Sequence, residues 1–103
     1  MKFRTSSAFD RQLLRLPEQQ QRLFRRAVYE HFLPALKAGA LSGDPPWPLR
    51  LRIHRLHQHE IYTLTWNFSG PDGRATFHFE KDEKGDTVLV WRRIGDHSIY
   101  KDP

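Results

Sequence analysis

The sequence predicts an α+β fold in which two N-terminal helices pack on one face of an antiparallel β-sheet. Apolar residues before residue 40 recur at three- and four-residue spacing, whereas those after Pro48 alternate with polar residues. A loop rich in Gly and Pro, residues 42–48, separates the two halves. Short turns join the strand-like segments, and such connections favour antiparallel hairpins over parallel crossovers.

The chain length predicts a single domain over residues 1–103. Hydrophobic residues make up 38% of the chain and aromatic residues 13%, which is enough apolar surface for a packed core and argues against disorder.

The helical half has clear start and stop signals. Lys2 to Thr5 alternates and predicts a short strand, and Ser6 or Ser7 can cap a first helix from about Ala8 to Leu16. Pro17 ends that helix and suits the first turn of a second one. Pro34 is expected to kink or interrupt the second helix, and Gly39 to cap its end.

Three segments with period two follow, at residues 49–54, 61–68 and 74–80, and then a nearly continuous apolar strand at residues 87–94, interrupted by Arg92 and Arg93. Together they predict a sheet with two unlike faces. One face is apolar and is expected to pack on the helices. The other is rich in Arg, His, Thr and Asn, and its members are Arg50, Arg52, His54, Thr63, Thr65, Asn67, Arg74, Thr76 and His78. Such a face could hold a phosphate backbone, and an ordinary solvated face is the alternative interpretation.

The charge balance indicates a polyanionic partner. The chain carries 17 Lys+Arg against 12 Asp+Glu, a formal net charge of +5, and most of the cations are arginines, which bind phosphate through a planar fork. Cysteine is absent, which excludes disulfides and thiolate metal sites. No apolar run approaches the length of a membrane span, and residues 1–5 lack the apolar stretch of a signal peptide, so we expect a cytoplasmic protein with no membrane partner.

The six histidines raise the question of a metal site. His57 and His59 would share one face of a strand, which makes a metal site conceivable, but exposed loop histidines are the commoner case and we assign no metal. His31 is expected to be packed beside Phe32 on the second helix.

The end of the chain is its most specific segment: WRRIGDHSIY, residues 91–100. An apolar strand delivers Arg92 and Arg93, a glycine permits a sharp bend, and His97 is followed by Tyr100 three residues later. Histidine can give or take a proton near neutral pH, so the pattern indicates acid–base chemistry. A frayed chain end with an incidental histidine and tyrosine is the alternative.

Residues 94–100, IGDHSIY, resemble the Ile-Gly-Thr-His-Asp-x-x-Tyr ending of bacterial RelE/ParE-type toxins, with the YafQ-like branch the nearest relative. Residues 48–56 resemble the family's Pro-x-Leu…His-x-Leu strand, residues 71–77 the segment leading into its next strand, and residues 9–17 its first helix. The resemblance covers nearly the whole chain in order.

The resemblance implies a toxin of a type II toxin–antitoxin system, an endoribonuclease that cleaves mRNA on the ribosome or free of it. It implies a cognate antitoxin protein, mRNA and the ribosome as partners, no cofactor, and an oligomeric state that the sequence leaves open. His54 matches the first catalytic histidine of the YafQ-like branch, and Asp72 matches the catalytic acid of that branch. Arg74 matches the phosphate-binding arginine of the RelE branch. His97 matches the histidine near the chain end, and Tyr100 matches the terminal aromatic residue. Further RNA-binding candidates are Arg50, Arg52, Arg55 and Arg93.

Two alternatives stay open. One is a ParE-like toxin that inhibits gyrase, because one scaffold carries both activities in this superfamily. The other is a catalytically inactive RNA-binding relative, since the lysines of the RelE branch have no counterpart on the strand from Tyr62 to Trp66 and the spacing from His97 to Tyr100 is one residue shorter than in the YafQ-like branch. A further histidine of the YafQ-like branch, near Thr65, is also absent here.

Overall fold

The computed structural model describes residues 1–56, 60–70 and 72–103. It is an α+β fold with two helical segments and a five-stranded mixed sheet. The strands are β1 (Lys2–Thr5), β2 (His54–Arg55), β3 (Tyr62–Thr65), β4 (Arg74–Lys81) and β5 (Thr87–Gly95). The helices are α1 (Ser7–Arg15), α2 (Glu18–Ala27) and α3 (Leu33–Ala38), with a π-helical turn at Val28–Phe32 and 3₁₀ turns at Ala40–Ser42, Leu49–Leu51 and His97–Lys101.

The helix boundaries fall where the local signals predict them. The Ser6 hydroxyl accepts a hydrogen bond from the Phe9 N–H at 3.0 Å and caps α1, and Pro17 stands between α1 and α2. Gly39 ends α3 in the left-handed region, with φ 105°, which a residue without Cβ adopts without strain.

Pro34 disturbs the second helical segment without ending it. A proline cannot donate to the carbonyl four residues earlier and its ring crowds that carbonyl. The π turn just before it widens the helix, and the Leu33 N–H bonds the Val28 carbonyl instead of the carbonyl four residues back. The expected interruption is therefore a local change of helical pitch, and α2, the π turn and α3 follow one another directly.

The sheet order is β1-β5-β4-β3-β2, and the prediction of a purely antiparallel sheet is wrong at one edge. β5, β4, β3 and β2 pair antiparallel, as their short connections predict. β1 runs parallel to β5, with Lys2 opposite Val88 and Thr5 opposite Trp91. Parallel pairing is possible here because the long helical segment, rather than a tight turn, separates β1 from the rest of the sheet.

An aromatic cluster joins the helical segments to the sheet. Trp91 and Phe77 are register partners in β5 and β4, and both are buried. The ring of Phe9 in α1 lies 6.0 Å from that of Trp91, the ring of Phe24 in α2 lies 5.4 Å from it, and Phe32 in the π turn lies 5.3 Å from Phe77. These contacts bury large apolar area, the main favourable term in folding.

Residues 49–54 do not form the predicted strand, apart from His54 itself. Pro48 leads into the 3₁₀ turn Leu49–Leu51, and Arg52 adopts a left-handed conformation with φ 48°. A pleated strand cannot run through such a residue, so β2 is only His54–Arg55. Arg50 and Arg52 therefore lie outside the polar sheet face to which the alternation assigned them.

A β-bulge interrupts the pairing of β4 with β5. Thr76 stands opposite Arg93 and Phe77 opposite Trp91, so Arg92 is the extra residue on β5. Because Trp91 and Ile94 both belong to the core, the two residues between them lie on the other side of the strand. The bulge thus places Arg92 and Arg93 on the same face as Thr76.

The sheet face that the sequence predicted to be polar is largely covered. Thr63, Thr65 and Thr76 are buried, with exposed fractions of 1%, 2% and 0%. The 3₁₀ turn at His97–Lys101 lies over this face and makes side-chain contacts with β3 and β4. In the described parts of the chain, no helix is both long enough and apolar enough to cross a bilayer.

Candidate active site

The turn before β4 and the end of β5 meet at one corner of the sheet. Arg74 opens β4 and is paired with Gly95, the last residue of β5, so the residues just outside both strands are brought together. Asp96 then caps the 3₁₀ turn that holds His97, its carboxylate accepting from the Ser98 N–H at 2.8 Å. Strand register therefore positions Asp72, Arg74 and His97 close together.

His97 lies between a cation and an anion. Its Nε2 is 3.1 Å from a terminal nitrogen of Arg74, and its Nδ1 is hydrogen-bonded to Oδ1 of Asp72. A guanidinium can only donate and an ionised carboxylate can only accept. His97 is thus a neutral imidazole with its proton on Nδ1, donated to Asp72, and its Nε2 lone pair accepts from Arg74.

The three groups differ in their exposure to solvent. Arg74 is 8% exposed, whereas the side chains of His97 and Asp72 are 58% and 67% exposed. A largely buried guanidinium thus lies beside an imidazole that a ligand can reach. We refer to Asp72, Arg74 and His97 as the His97 trio.

Tyr100 packs against His97 of the trio. Its ring is perpendicular to that of His97 with centroids 5.7 Å apart, and its hydroxyl is 2.8 Å from Oγ1 of Thr63 in β3. The 3₁₀ turn places the Tyr100 ring next to the ring of His97, three residues earlier in the chain. The hydrogen bond to Thr63 connects this turn to the sheet. The buried hydroxyl of neighbouring Thr76 has no hydrogen-bond partner within the described residues.

Asp96 stabilises the turn as an ionised group. Its hydrogen bonds with the side chain and backbone of Ser98 lower its pKa from the ordinary value of 3.8. These bonds favour the carboxylate because a charged acceptor binds N–H and O–H donors more strongly than a neutral one.

His54 lies on the same sheet face but not within the trio. It stands opposite Thr63, the residue that bonds Tyr100, and its side chain is exposed. Its Nδ1 is 3.0 Å from the Arg52 carbonyl, and it makes no contact with His97. Strand spacing places the Cα atoms of His54 and Arg74 roughly 12 Å apart, a gap that a substrate could span.

The four arginines predicted to bind RNA are scattered. Arg50 in the 3₁₀ turn stacks over the Phe68 ring at 5.4 Å from its centroid, and Arg52 is exposed in the left-handed position that follows. Arg55 stands opposite Tyr62, whose ring stacks on Phe77 of the core, so it lies on the other side of β2 from His54.

Arg93 alone of these four lies beside the trio on the same sheet face, and it donates to Asp102 at 2.9 Å. The sequence-predicted set omitted its neighbour Arg92, which donates to Nδ1 of His78 at 2.9 Å and to the Pro103 carbonyl at 3.0 Å. Two consecutive arginines inside an apolar strand were the available signal for a bulge that turns both to one face.

The pair His57 and His59 lies outside the described residues. Elsewhere no group of three or more His, Asp or Glu side chains is arranged to hold a metal ion. His31 packs edge-on against the Phe68 ring at 5.3 Å between centroids.

Comparisons with known proteins give one distant similarity in structure. No family model matches the chain, and no curated protein matches it. It is similar to the solution structure of the conserved hypothetical protein HP0894 from Helicobacter pylori, at 16% sequence identity and a TM-score of 0.44, with 95% of this chain and 96% of that chain covered.

Proposed function

We propose that the chain is a RelE/ParE-type toxin of a type II toxin–antitoxin system that cleaves mRNA as a metal-independent endoribonuclease. The observation that carries the proposal is the position of His97 between Asp72 and Arg74, because these groups supply the base and the phosphate-binding cation that RNA cleavage by the 2′-hydroxyl requires. The contacts of helical aromatic residues with Trp91 and Phe77 support the family layout, in which two N-terminal helices cover one face of the sheet.

Arg74 would bind the scissile phosphate and release His97. In the free protein the Nε2 lone pair of His97 accepts from Arg74. A substrate phosphate is the stronger acceptor, because a hydrogen bond from arginine to a charged phosphate is stronger than one to a neutral imidazole. When the guanidinium turns to the phosphate, Nε2 becomes available as a base.

The chemistry would then be an in-line transfer. Nε2 of His97 takes the proton of the 2′-hydroxyl, the 2′-oxygen forms a bond to phosphorus, and the bond from phosphorus to the 5′-oxygen breaks. The Asp72 carboxylate stabilises the imidazolium that forms, and Arg74 and Arg93 stabilise the charge on the phosphorane. His54 is the partner acid that protonates the 5′-oxygen. The products are a 2′,3′-cyclic phosphate and a 5′-hydroxyl.

Tyr100 would position a base of the substrate. Its ring is perpendicular to His97 and is held by the bond to Thr63, so it offers a fixed aromatic surface next to the reacting group. Stacking on aromatic side chains is the usual way in which proteins hold unpaired bases.

A catalytically inactive RNA-binding relative is the second candidate, and the position of His54 favours it. The imidazole of His54 is tied to the Arg52 carbonyl and makes no contact with the trio. Without a second proton-transfer group the same face would bind RNA and leave it intact.

The expected partners follow from the proposed activity. The mRNA and the ribosome are the target, which places the activity in the cytoplasm. A cognate antitoxin would silence it, and the net charge of +5 would speed the approach of an acidic segment of that protein.

The test is tightly controlled expression in a bacterium with mapping of mRNA 5′ ends. Wild type is expected to arrest growth and to produce new 5′-hydroxyl ends that His97→Ala abolishes. His31→Ala, which removes a histidine packed on Phe68, is the matched control and should cleave like wild type. Unchanged cleavage by His97→Ala would refute the assignment. Arrest with intact mRNA and altered plasmid supercoiling would indicate gyrase, and RNA binding without cuts would indicate the inactive relative.

A further inference from the structure

A second acid–histidine–arginine group lies on the same sheet face, outside the His97 trio. Nδ1 of His78 accepts from Arg92 at 2.9 Å, and its Nε2 lies 2.8 Å from Oε1 of Glu80. The same donor and acceptor rules make His78 neutral with its proton on Nε2. The side chain of His78 is 18% exposed, so the group is preformed and partly desolvated.

The bulge in β5 brings two guanidinium groups together on this face. Arg92 is the extra residue, and Arg93 beside it stands opposite Thr76. Placing two cations side by side is unfavourable unless anions lie nearby. Bulges commonly occur where a strand re-aims a side chain next to a functional site.

The guanidinium of Arg92 keeps donors to spare. Of its five N–H groups, one is given to the Pro103 carbonyl and one to His78, and the part of the chain that the structure describes supplies no partner for the others. The two existing bonds fix the plane of the fork. Less side-chain freedom is therefore lost when an anion binds.

The anions already present leave room for a ligand. Asp102, the partner of Arg93, is 86% exposed, and ion pairs at such positions contribute little, so a phosphate can replace it. The carboxylate of Glu80 lies 3.4 Å from the guanidinium of Arg4 in β1 and accepts a hydrogen bond from His78. Glu80 and Arg92 contact opposite sides of the His78 ring, and Arg4 balances the charge of Glu80.

The phosphate-binding candidates follow β4 and β5, and His78 marks the position of Arg92, which it contacts. Arg74 and His78 are four residues apart on β4, roughly 13 Å, and Arg93 stands opposite Thr76 midway between them. A single strand of RNA whose scissile phosphate is at Arg74 would therefore pass Arg93 and then reach Arg92.

We propose that Arg92, with His78 as the residue that positions it, forms a second phosphate-binding subsite for the same RNA strand, and that Arg93 links this subsite to the scissile phosphate at Arg74. The proposal rests on the proposed function, because it assumes that the strand lies on the His97 trio. The subsite extends the bound RNA to one side of the cleavage point and contributes affinity that a very short oligonucleotide cannot gain.

The test measures binding of 2′-O-methyl RNA, which lacks the nucleophile and is not cleaved, at two lengths of about three and about eight nucleotides. Arg92→Ala is expected to weaken binding of the longer RNA about tenfold, to reduce the slope of log affinity against log salt by about one, and to leave the shorter RNA within about twofold. Arg11→Ala, on the exposed side of α1, is the matched control and should change neither length.

Two further variants separate binding from folding. Arg92→Lys keeps the charge and should retain the salt slope while losing part of the affinity for the longer RNA. His78→Gln leaves both arginines in place and should weaken only the longer RNA, by about threefold. The thermal unfolding midpoint of each variant is measured beside its affinity.

The outcomes distinguish this proposal from the one on which it depends. If Arg92→Ala loses the same affinity for both RNA lengths, or loses affinity for neither, the second subsite is overturned even if wild type cleaves RNA through His97. Length-dependent loss without any cleavage supports the subsite and overturns the nuclease. If wild type binds neither RNA, the second subsite is wrong, whereas the nuclease is judged by whether new 5′-hydroxyl ends appear in the expressing bacterium.

Discussion

Nε2 of His97 lies 3.1 Å from a guanidinium nitrogen of Arg74, which stands 23 residues earlier in the chain. The bond joins the last turn of the chain to the first residue of β4. It also determines where the single proton of the neutral imidazole resides, since arginine cannot accept a hydrogen bond.

The first prediction concerns that proton. In the free protein, ¹⁵N spectra of His97 at pH about 8, where a histidine without special partners is neutral, should show Nδ1 protonated and Nε2 unprotonated. Adding inorganic phosphate should perturb the Nε2 resonance as Arg74 turns to the anion. A proton on Nε2 in the free protein would contradict the proposed release of the base. His31, which has no such pair of partners among the described residues, provides the comparison within the same spectrum.

The second prediction concerns the bond between Tyr100 and Thr63. Tyr100→Phe removes the hydroxyl and leaves the buried Oγ1 of Thr63 without its partner, so we expect a loss of about 1–2 kcal/mol in the free energy of unfolding. Adding Thr63→Val should recover part of that loss, because the orphaned hydroxyl is then gone. Urea unfolding of wild type, the two single variants and the double variant measures the coupling, and strictly additive losses would show that the bond contributes nothing.

The third prediction concerns the close approach of Gly73 to Trp66. A Cβ at position 73 would lie 2.8 Å from atoms of the buried indole ring, which is too close for any side chain. Gly73→Ala should therefore cost about 1–3 kcal/mol and shift the tryptophan fluorescence, since the ring must move.

Gly70→Ala is the control for that substitution, because its Cβ would meet Asn67 at an ordinary 3.6 Å. It should unfold at nearly the wild-type urea concentration. Equal effects of the two substitutions would mean that the Gly73 contact with Trp66 does not constrain the turn that carries Asp72.

The fourth prediction concerns acid stability at the cap of the last turn. Because its bonds to Ser98 lower the pKa of Asp96 below 3.8, the folded state favours the carboxylate. The stabilisation from Asp96 is complete above the unfolded value and is lost as the pH falls through the lower, folded value. Urea unfolding from about pH 5.5 to about pH 2.5 should show wild type losing stability at the acid end, and Asp96→Asn losing less over the same interval. Glu83→Gln, at an exposed turn position without a side-chain hydrogen bond in the described residues, should follow wild type. Identical pH profiles for wild type and Asp96→Asn would contradict the prediction.

Local sequence alone determined most element boundaries in this protein. Pro17 separates the first two helices and Gly39 ends the third. β3 and β4 follow the alternation around Tyr62 and Phe77, and β5 follows the apolar run that begins at Thr87. These features depend on backbone dihedrals and side-chain alternation within a few residues, which is the range over which a sequence pattern is informative.

The tertiary structure decided the site. The contact between Asp72 and His97 depends on the register of β4 with β5. Arg92 and Arg93 lie on the same face because of a bulge in that pairing. The parallel placement of β1 depends likewise on contacts between distant segments. Even the loss of the strand at residues 49–53 reflects one left-handed residue, Arg52, which alternation of apolar residues does not reveal. Strand pairing and bulges result from packing between segments far apart in the chain, so the residue types of the candidate site could be read from the sequence but their contacts could not.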